Sequence, residues 1–223
     1  MCGFCKNEYK SNLLAVCNTP DIYRKYLAIP MTKQTLYLIR HGETPWTVSR
    51  QHTGRTDISL TQKGEEQVHL LGKRLQKIPF QALFCSPLKR AQETCSLCSL
   101  ETPRIIAPEL AEWHYGNYEG KTTAEIRETH PHWNLFTEGA PQGEKPEDVE
   151  KRVYHLLKKI ELIEGNIALF SHGHLLRSLA ALWLGLSIRN ASCFFLSTAS
   201  LSILGYEREH RALHLWNDTS HLV

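Results

Sequence analysis

Two short apolar runs, Leu36-Tyr37-Leu38-Ile39 and Ile167-Ala168-Leu169-Phe170, each lead into a histidine followed by glycine. An unbroken apolar run of this length reads as a strand covered on both faces, the kind found in parallel sheets. The first run continues as Arg40-His41-Gly42-Glu43-Thr44 and the second as Ser171-His172-Gly173. Open α/β sheets place their ligands beyond the carboxyl ends of the strands, so a cation and two imidazoles are delivered where such a fold keeps its site. Gly42 lets the backbone turn or approach a ligand closely. Either pattern alone reads as an ordinary solvated loop; the repetition gives it weight.

The rest of the chain fits the same class. A polar connection from Thr44 to Thr61, containing Gly54, leads to a helix capped by Thr61. Val68, Leu71 and Leu75 share one face of it, and Pro79 ends it. Ala82 to Cys85 reads as a strand that runs into Ser86-Pro87, an N-cap followed by proline at the first helical position. Arg90 then falls in the opening turn, near the strand end and the positive end of the helix dipole, although a surface arginine fits that position equally well. Arg104 to Ala107 reads as a third strand, and 108–120 as an aromatic, glycine-punctuated shaped loop.

Thr122 to Glu125 forms a capping box for a further helix, and 137–145 reads as loop. Pro146 opens the clearest helix, with Val149, Val153, Leu156, Leu157, Ile160 and Ile163 on one stripe and Gly165 as its stop. Leu175 to Leu186 is apolar nearly all round and predicts a buried helix. Ser200 to Tyr206 and Ala212 to Trp216 predict a hairpin at a sheet edge. Strands alternating with helices give a mainly parallel sheet with helices on both faces.

Composition narrows the class further. A formal charge of +3 is too small to argue for nucleic acid or a membrane surface. The apolar stretch Leu175 to Ile188 is too short to span a bilayer and carries Arg177. Leu13 to Cys17 makes a poor signal peptide, and seven cysteines without a regular framework suit free thiols in a reducing compartment, so a cytoplasmic location is expected. Residues 1–34 lack clean periodicity and are expected to be a poorly ordered extension ahead of a domain over 35–223, with Met31 an alternative start. Cys2 and Cys5 have metal-ligand spacing but make only half a site; Cys95 and Cys98 fall on a predicted helix and read as small apolar residues.

Histidines and arginines gathered at strand ends suit phosphoryl transfer. A neutral imidazole attacks phosphorus and divides one hard step into two through a covalent intermediate. Guanidiniums match phosphate with paired hydrogen bonds and stabilise its equatorial oxygens. Nearby cations also keep such a histidine unprotonated. A carboxylic acid is then wanted to protonate the departing alkoxide.

These residues resemble the histidine phosphatase superfamily, also called the phosphoglycerate mutase-like family. Leu38 to Thr44 is similar to its signature, and Gln51 to Asp57, Ser86 to Thr94, Glu109 to Gly120 and Ser171 to Gly173 are similar to its further motifs in the same order. The resemblance covers roughly residues 35 to 218. It implies a three-layer α/β/α sandwich whose sheet is mainly parallel with an antiparallel edge strand, and no metal or cofactor. It also implies roles: His41 as the phosphorylated nucleophile; Arg40, Arg90 and His172 on the phosphoryl group, with Gly173 assisting through its backbone; Glu112 as general acid and then base; Thr53 and Gly54 along the phosphate pocket.

The mutases of this family carry a long basic insertion after the acid-bearing loop, and an Asn where this chain has Thr47. The region from Thr122 to Pro146 is short here, so a phosphatase acting on a small phosphorylated metabolite, such as a sugar phosphate or bisphosphate, is expected ahead of a mutase. A metal-binding hydrolase built on His172 and His174 is a weaker reading, because no aspartate cluster accompanies them. Trp46, Trp113, His114, Tyr115 and Trp133 are candidates for the leaving-group pocket or for loop packing.

Overall fold

The computed structural model describes residues 34–223. The Cys2–Cys5 pair, Met31 and nearly all of the expected extension lie outside the described residues. The first strand starts at Gln34, one residue inside what the sequence assigns to that extension.

Strands β1 (Gln34–Arg40), β2 (Phe80–Cys85), β3 (Arg104–Ile106), β4 (Gly165–Ser171), β5 (Leu201–Glu207) and β6 (His210–Asp218) form one sheet in the order β3-β2-β4-β1-β5-β6. β1, β2, β3 and β4 are mutually parallel. β5 runs against β1, and β6 turns back along β5 in the expected hairpin. The antiparallel strand therefore lies one place in from the edge that β6 forms. In the central pair Leu36 aligns with Ile167 and Arg40 with Ser171. That register brings the two His-Gly sequences out side by side at one end of the sheet.

The helices are α1 (Pro45–Val48), α2 (Gln62–Leu75), α3 (Lys89–Leu97), α4 (Thr123–Thr129), α5 (Leu135–Glu138), α6 (Pro146–Ile160) and α7 (Gly173–Trp183). Alternating strand residues face two separate cores. Leu36, Leu38, Phe84, Ile167 and Leu169 pack with Val149, Val153 and Leu156 of α6 and with Leu175, Leu176 and Leu179 of α7. Ile39, Leu83, Ala168 and Phe170 pack with Val68, Leu71 and Leu75 of α2 and Ala91 and Cys95 of α3. Each large apolar side chain so covered contributes about 1.5–3 kcal/mol relative to exposure. The result is the three-layer α/β/α arrangement.

Several boundaries differ from the sequence reading for local reasons. α3 starts at Lys89, with Leu88 at its N-cap and no side-chain cap. Ser86 remains tied to the sheet, its N–H donating to Phe170 O at 3.0 Å, so it cannot turn the chain into a helix. α2 ends at Leu75, before Pro79. α6 ends at Ile160; Ile163 packs on the core from the following turn, and Gly165, at φ +87°, is the first residue of β4. The one-turn helices α1 and α5 occupy parts of stretches read as loop or left unassigned. Cys95 and Cys98 are buried in the α2–α3 core, as small apolar residues would be.

Candidate active site

His41 follows directly on β1 and is fixed by its own backbone. Its N–H donates to Ser171 O at 3.0 Å and its carbonyl accepts from Ala199 N–H at 3.0 Å. The turn that follows leaves no room for a side chain: a Cβ on Gly42 would sit 2.7 Å from Gly64 O. The ring Nδ1 lies 2.8 Å from Gly42 O. A carbonyl only accepts, so Nδ1 carries the hydrogen and the Nε2 lone pair is left for chemistry. Burial holds the His41 pKa well below its ordinary value, and Arg90 and Arg40 push it the same way. The imidazole is neutral at physiological pH.

Arg90, fully buried in the first turn of α3, organises the cage. Its Nε donates to His172 Nδ1 at 3.1 Å, and its Nη atoms donate to the carbonyls of Thr53 (2.9 Å), Gly54 (3.0 Å) and Thr56 (3.1 Å). Because a guanidinium only donates, His172 Nδ1 accepts and its Nε2–H is directed to Ser86 Oγ at 2.7 Å. Burial and the charge of Arg90 keep His172 well below the usual histidine pKa. The two histidine rings lie 5.2 Å apart between centroids. Arg40 donates from Nη1 to Leu196 O, while its buried Nε has no hydrogen-bond partner. A donor left so is costly unless an anion completes it.

Glu112 approaches from the shaped loop. Its Oε1 accepts from Trp113 N–H at 3.0 Å and Leu175 N–H at 2.9 Å, and its Oε2 accepts from His174 N–H at 3.0 Å. Two of these donors belong to the first turn of α7, which has no side-chain cap of its own. Glu112 thus caps α7 from a distant loop, which fixes its position. Burial raises its pKa, against the opposing pull of those N–H groups and Arg90.

Arg40, His41, Thr53, Glu112 and Gly173 line one cavity of about 240 Å³. Arg90 and His172 lie fully buried behind its wall. Gly54, expected along the phosphate pocket, does not reach the lining: its N–H goes to Glu119 and its carbonyl to Arg90. Of the aromatic candidates, Trp46 and Tyr115 line the cavity. Trp113 and Trp133 are core residues bonded to Ser178 and to the Gly139 carbonyl. His114 Nδ1 accepts from Gly116 N–H.

The sequence reading missed Arg50, His52 and Arg177 as lining residues and placed His174 only in a metal site. In the structure His174 Nδ1 is engaged by the Tyr115 hydroxyl at 2.5 Å. Among the described residues no group of three or more His, Cys, Asp or Glu side chains is placed to hold a metal ion. Spacing held a clue for Arg177, which follows His174 by three residues and so shares its helix face.

Residues 36–219 match the family described as the histidine phosphatase superfamily (branch 1). The chain belongs to this superfamily. It is similar to an acid phosphatase of Mycobacterium tuberculosis, with 38% identity over 190 residues, spanning 83% of this chain and 93% of the relative. It is also 31% identical over 193 residues to a sedoheptulose 1,7-bisphosphatase of Saccharomyces cerevisiae, spanning 72% of this chain and 71% of the relative. Among solved structures, the product of a Mycobacterium tuberculosis open reading frame superposes with a TM-score of 0.79 at 36% identity, covering 82% of this chain and 97% of that one. As a superfamily member with phosphatase relatives of this similarity, the chain is a phosphoric monoester hydrolase.

Proposed function

We propose that the enzyme hydrolyses small phosphomonoesters through a phosphohistidine formed on His41. The observation that carries this reading is the free Nε2 lone pair of a neutral His41, in one cavity with the Arg40 guanidinium and Glu112. Nε2 attacks phosphorus in line, the P–O bond to the leaving group breaks, and protonated Glu112 gives its proton to the departing oxygen. The carboxylate then takes a proton from water, which attacks the phosphohistidine, and the P–N bond breaks to restore the imidazole. Arg40 supplies its orphaned Nε–H to the transferred oxygens. Arg90 supplies its charge and the Nη1 hydrogen it does not donate to the described residues, and His172 holds Arg90 in place. Preorganised donors of this kind are each worth about 10²–10³ in rate.

Hydrolysis is favoured over mutase chemistry by the lining itself. None of the described lining residues comes from 121–146, and Arg127 in that stretch donates to Trp133 O. The cavity suits a small metabolite, and the unpaired thiols among the described residues agree with a cytoplasmic setting. The test is phosphate release from a panel of phosphomonoesters with and without chelator, beside interconversion of 2- and 3-phosphoglycerate. Chelator-insensitive release that outpaces interconversion is expected. Loss of activity on chelation, or faster interconversion, contradicts the reading.

A further inference from the structure

His41 is tied to the fold through the peptide bond that follows it, and that bond is gripped from two sides. The His41 carbonyl accepts from Ala199 N–H at 3.0 Å, while Gly42 N–H donates to Thr94 Oγ1 at 3.1 Å. The Thr94 side is rooted in α3: the residue is fully buried, and its hydroxyl donates in turn to Arg90 O at 2.7 Å. The Ala199 side is different. Ala199 has φ at 52°, a left-handed conformation that its Cβ opposes. A residue keeps such a conformation only where its surroundings hold it there.

The turn that carries Ala199 into β5 is pinned at Ser197, whose N–H donates to Asn217 Oδ1 at 2.6 Å and whose carbonyl accepts from Ser200 Oγ at 2.7 Å. Neither contact reaches the Ala199 carbonyl. That group accepts from His221 Nε2–H at 2.9 Å, and no other described residue donates to it. The tautomer is set from the far side of the ring, because Arg74 Nη1, 3.4 Å from Nδ1, can only donate. Arg74, in the last turn of α2, is itself fixed by Asp218 at 2.6 Å and by Ser220 Oγ at 3.2 Å. An unbroken line of contacts therefore runs from α2 through His221 and Ala199 to the backbone of the nucleophile.

We propose that His221 is a positioning residue for phosphoryl transfer: by holding the carbonyl of a left-handed Ala199 it keeps that residue's N–H on the His41 carbonyl, and so sets the angle at which His41 Nε2 meets phosphorus. This rests on the hydrolytic reading above and adds to it a residue outside the cavity lining. The His41 ring follows its backbone because its Nδ1–H is bonded to Gly42 O at 2.8 Å. Without His221, Ala199 relaxes toward an unstrained conformation, the His41–Gly42 peptide pivots on the Thr94 bond, and Nε2 swings with it. A displacement of about 1 Å at a reacting atom costs about 10²-fold in rate, so a partial swing is expected to cost about tenfold.

Two substitutions separate the hydrogen bond from the space the ring fills. His221→Phe keeps the ring and removes the donor; His221→Gln keeps a donor of similar reach. Single-turnover phosphorylation by p-nitrophenyl phosphate, the steady-state KM and the urea midpoint are measured for both. His221→Phe is expected to slow phosphorylation of His41 about tenfold while KM changes by less than about twofold, and His221→Gln to recover most of the rate. His221→Leu, smaller and equally without a donor, carries the same expectation should the phenyl side chain not be accommodated. A role in stability alone lowers the urea midpoint and leaves the rate of the folded enzyme within about twofold of wild type. That result, or equal losses in His221→Phe and His221→Gln, overturns the proposal. In either case wild-type turnover shows that the hydrolytic reading stands, whereas a wild-type protein that hydrolyses no ester overturns that reading itself.

Discussion

Arg90 and Glu119 grip the same stretch of backbone from its two polar sides. Glu119 Oε1 accepts the N–H groups of Gly54 (2.8 Å) and Thr56 (3.1 Å), while Arg90 donates to the carbonyls of Thr53, Gly54 and Thr56. The loop carrying Thr53 to the cavity is therefore set by one buried cation and one carboxylate that need not touch each other. The same Arg90 fixes His172, so loop geometry and cage geometry depend on one guanidinium.

Glu119→Ala removes the one carboxylate oxygen that accepts both charge-assisted hydrogen bonds and leaves two N–H groups without that partner. A loss of about 2–4 kcal/mol in stability is expected from contacts of this class. Because the loop moves while His41 and Glu112 stay, KM should rise more than kcat falls. Denaturant unfolding with steady-state kinetics on one monophosphate checks both. Unchanged KM would remove the loop's part in substrate binding.

Gly54→Ala acts on the same loop by crowding. A Cβ there would lie 2.5 Å from Glu119 Oε2 and 2.6 Å from Trp113 O. Neither neighbour can yield without breaking a hydrogen bond or shifting the acid-bearing loop, so a destabilisation of about 1–3 kcal/mol is expected. The measurement is the urea midpoint; a variant as stable as the parent would show that the loop relaxes freely.

Stability should fall on the acid side. His41, His172 and His174 are held well below the ordinary histidine value by burial first, and His52 is lowered to about 4 for the same reason. Between 6.5 and those values the unfolded chain binds protons that the folded chain refuses. Their contribution is complete above 6.5; that of His52 is lost as pH falls toward about 4, and that of the other three as pH falls through their own depressed folded values. Glu112, whose pKa is raised, acts in the opposite sense: its contribution is present below the ordinary value and is lost as pH rises through the folded one. With four histidines against one carboxyl, thermal melts should show Tm dropping from neutral pH downward, and His52→Gln should flatten the slope. A Tm that rises on acidification contradicts this.

Glu112→Gln keeps the size of the side chain and removes the proton donor. For alkyl phosphates, whose leaving oxygen needs that proton, kcat should fall about 10²–10⁴-fold. For p-nitrophenyl phosphate, whose phenolate leaves unaided, phosphorylation of His41 should be much less affected. Single-turnover comparison of the two esters separates this from a general loss of structure, since equal losses would deny Glu112 the role of acid.

Much of this arrangement was legible before any coordinates. The runs before His41 and His172 announce themselves because strands covered on both faces have no polar alternation. The first-turn position of Arg90 survives even though its helix starts two residues later than Ser86-Pro87 suggests. What escaped is what depends on tertiary closure. Ser86 reads as a cap but serves as acceptor for His172, a partner made only by strand register. Gly54 looks like a phosphate-side glycine until Glu119 and Arg90 claim its backbone. Arg177 is hidden in a helix whose apolar surround suggests simple burial, and Arg50 in a polar stretch without periodicity.

The central claim is chemical and has a direct measurement. The enzyme is mixed with a phosphomonoester labelled in its phosphoryl group, quenched in alkali within one turnover, digested, and the labelled peptide sequenced by mass spectrometry. The account predicts acid-labile, alkali-stable phosphate on the peptide containing His41, absent from His41→Ala and, with labelled p-nitrophenyl phosphate, accumulating when Glu112→Gln slows the hydrolysis of the intermediate. Full turnover by His41→Ala, or label found on any other residue, contradicts it.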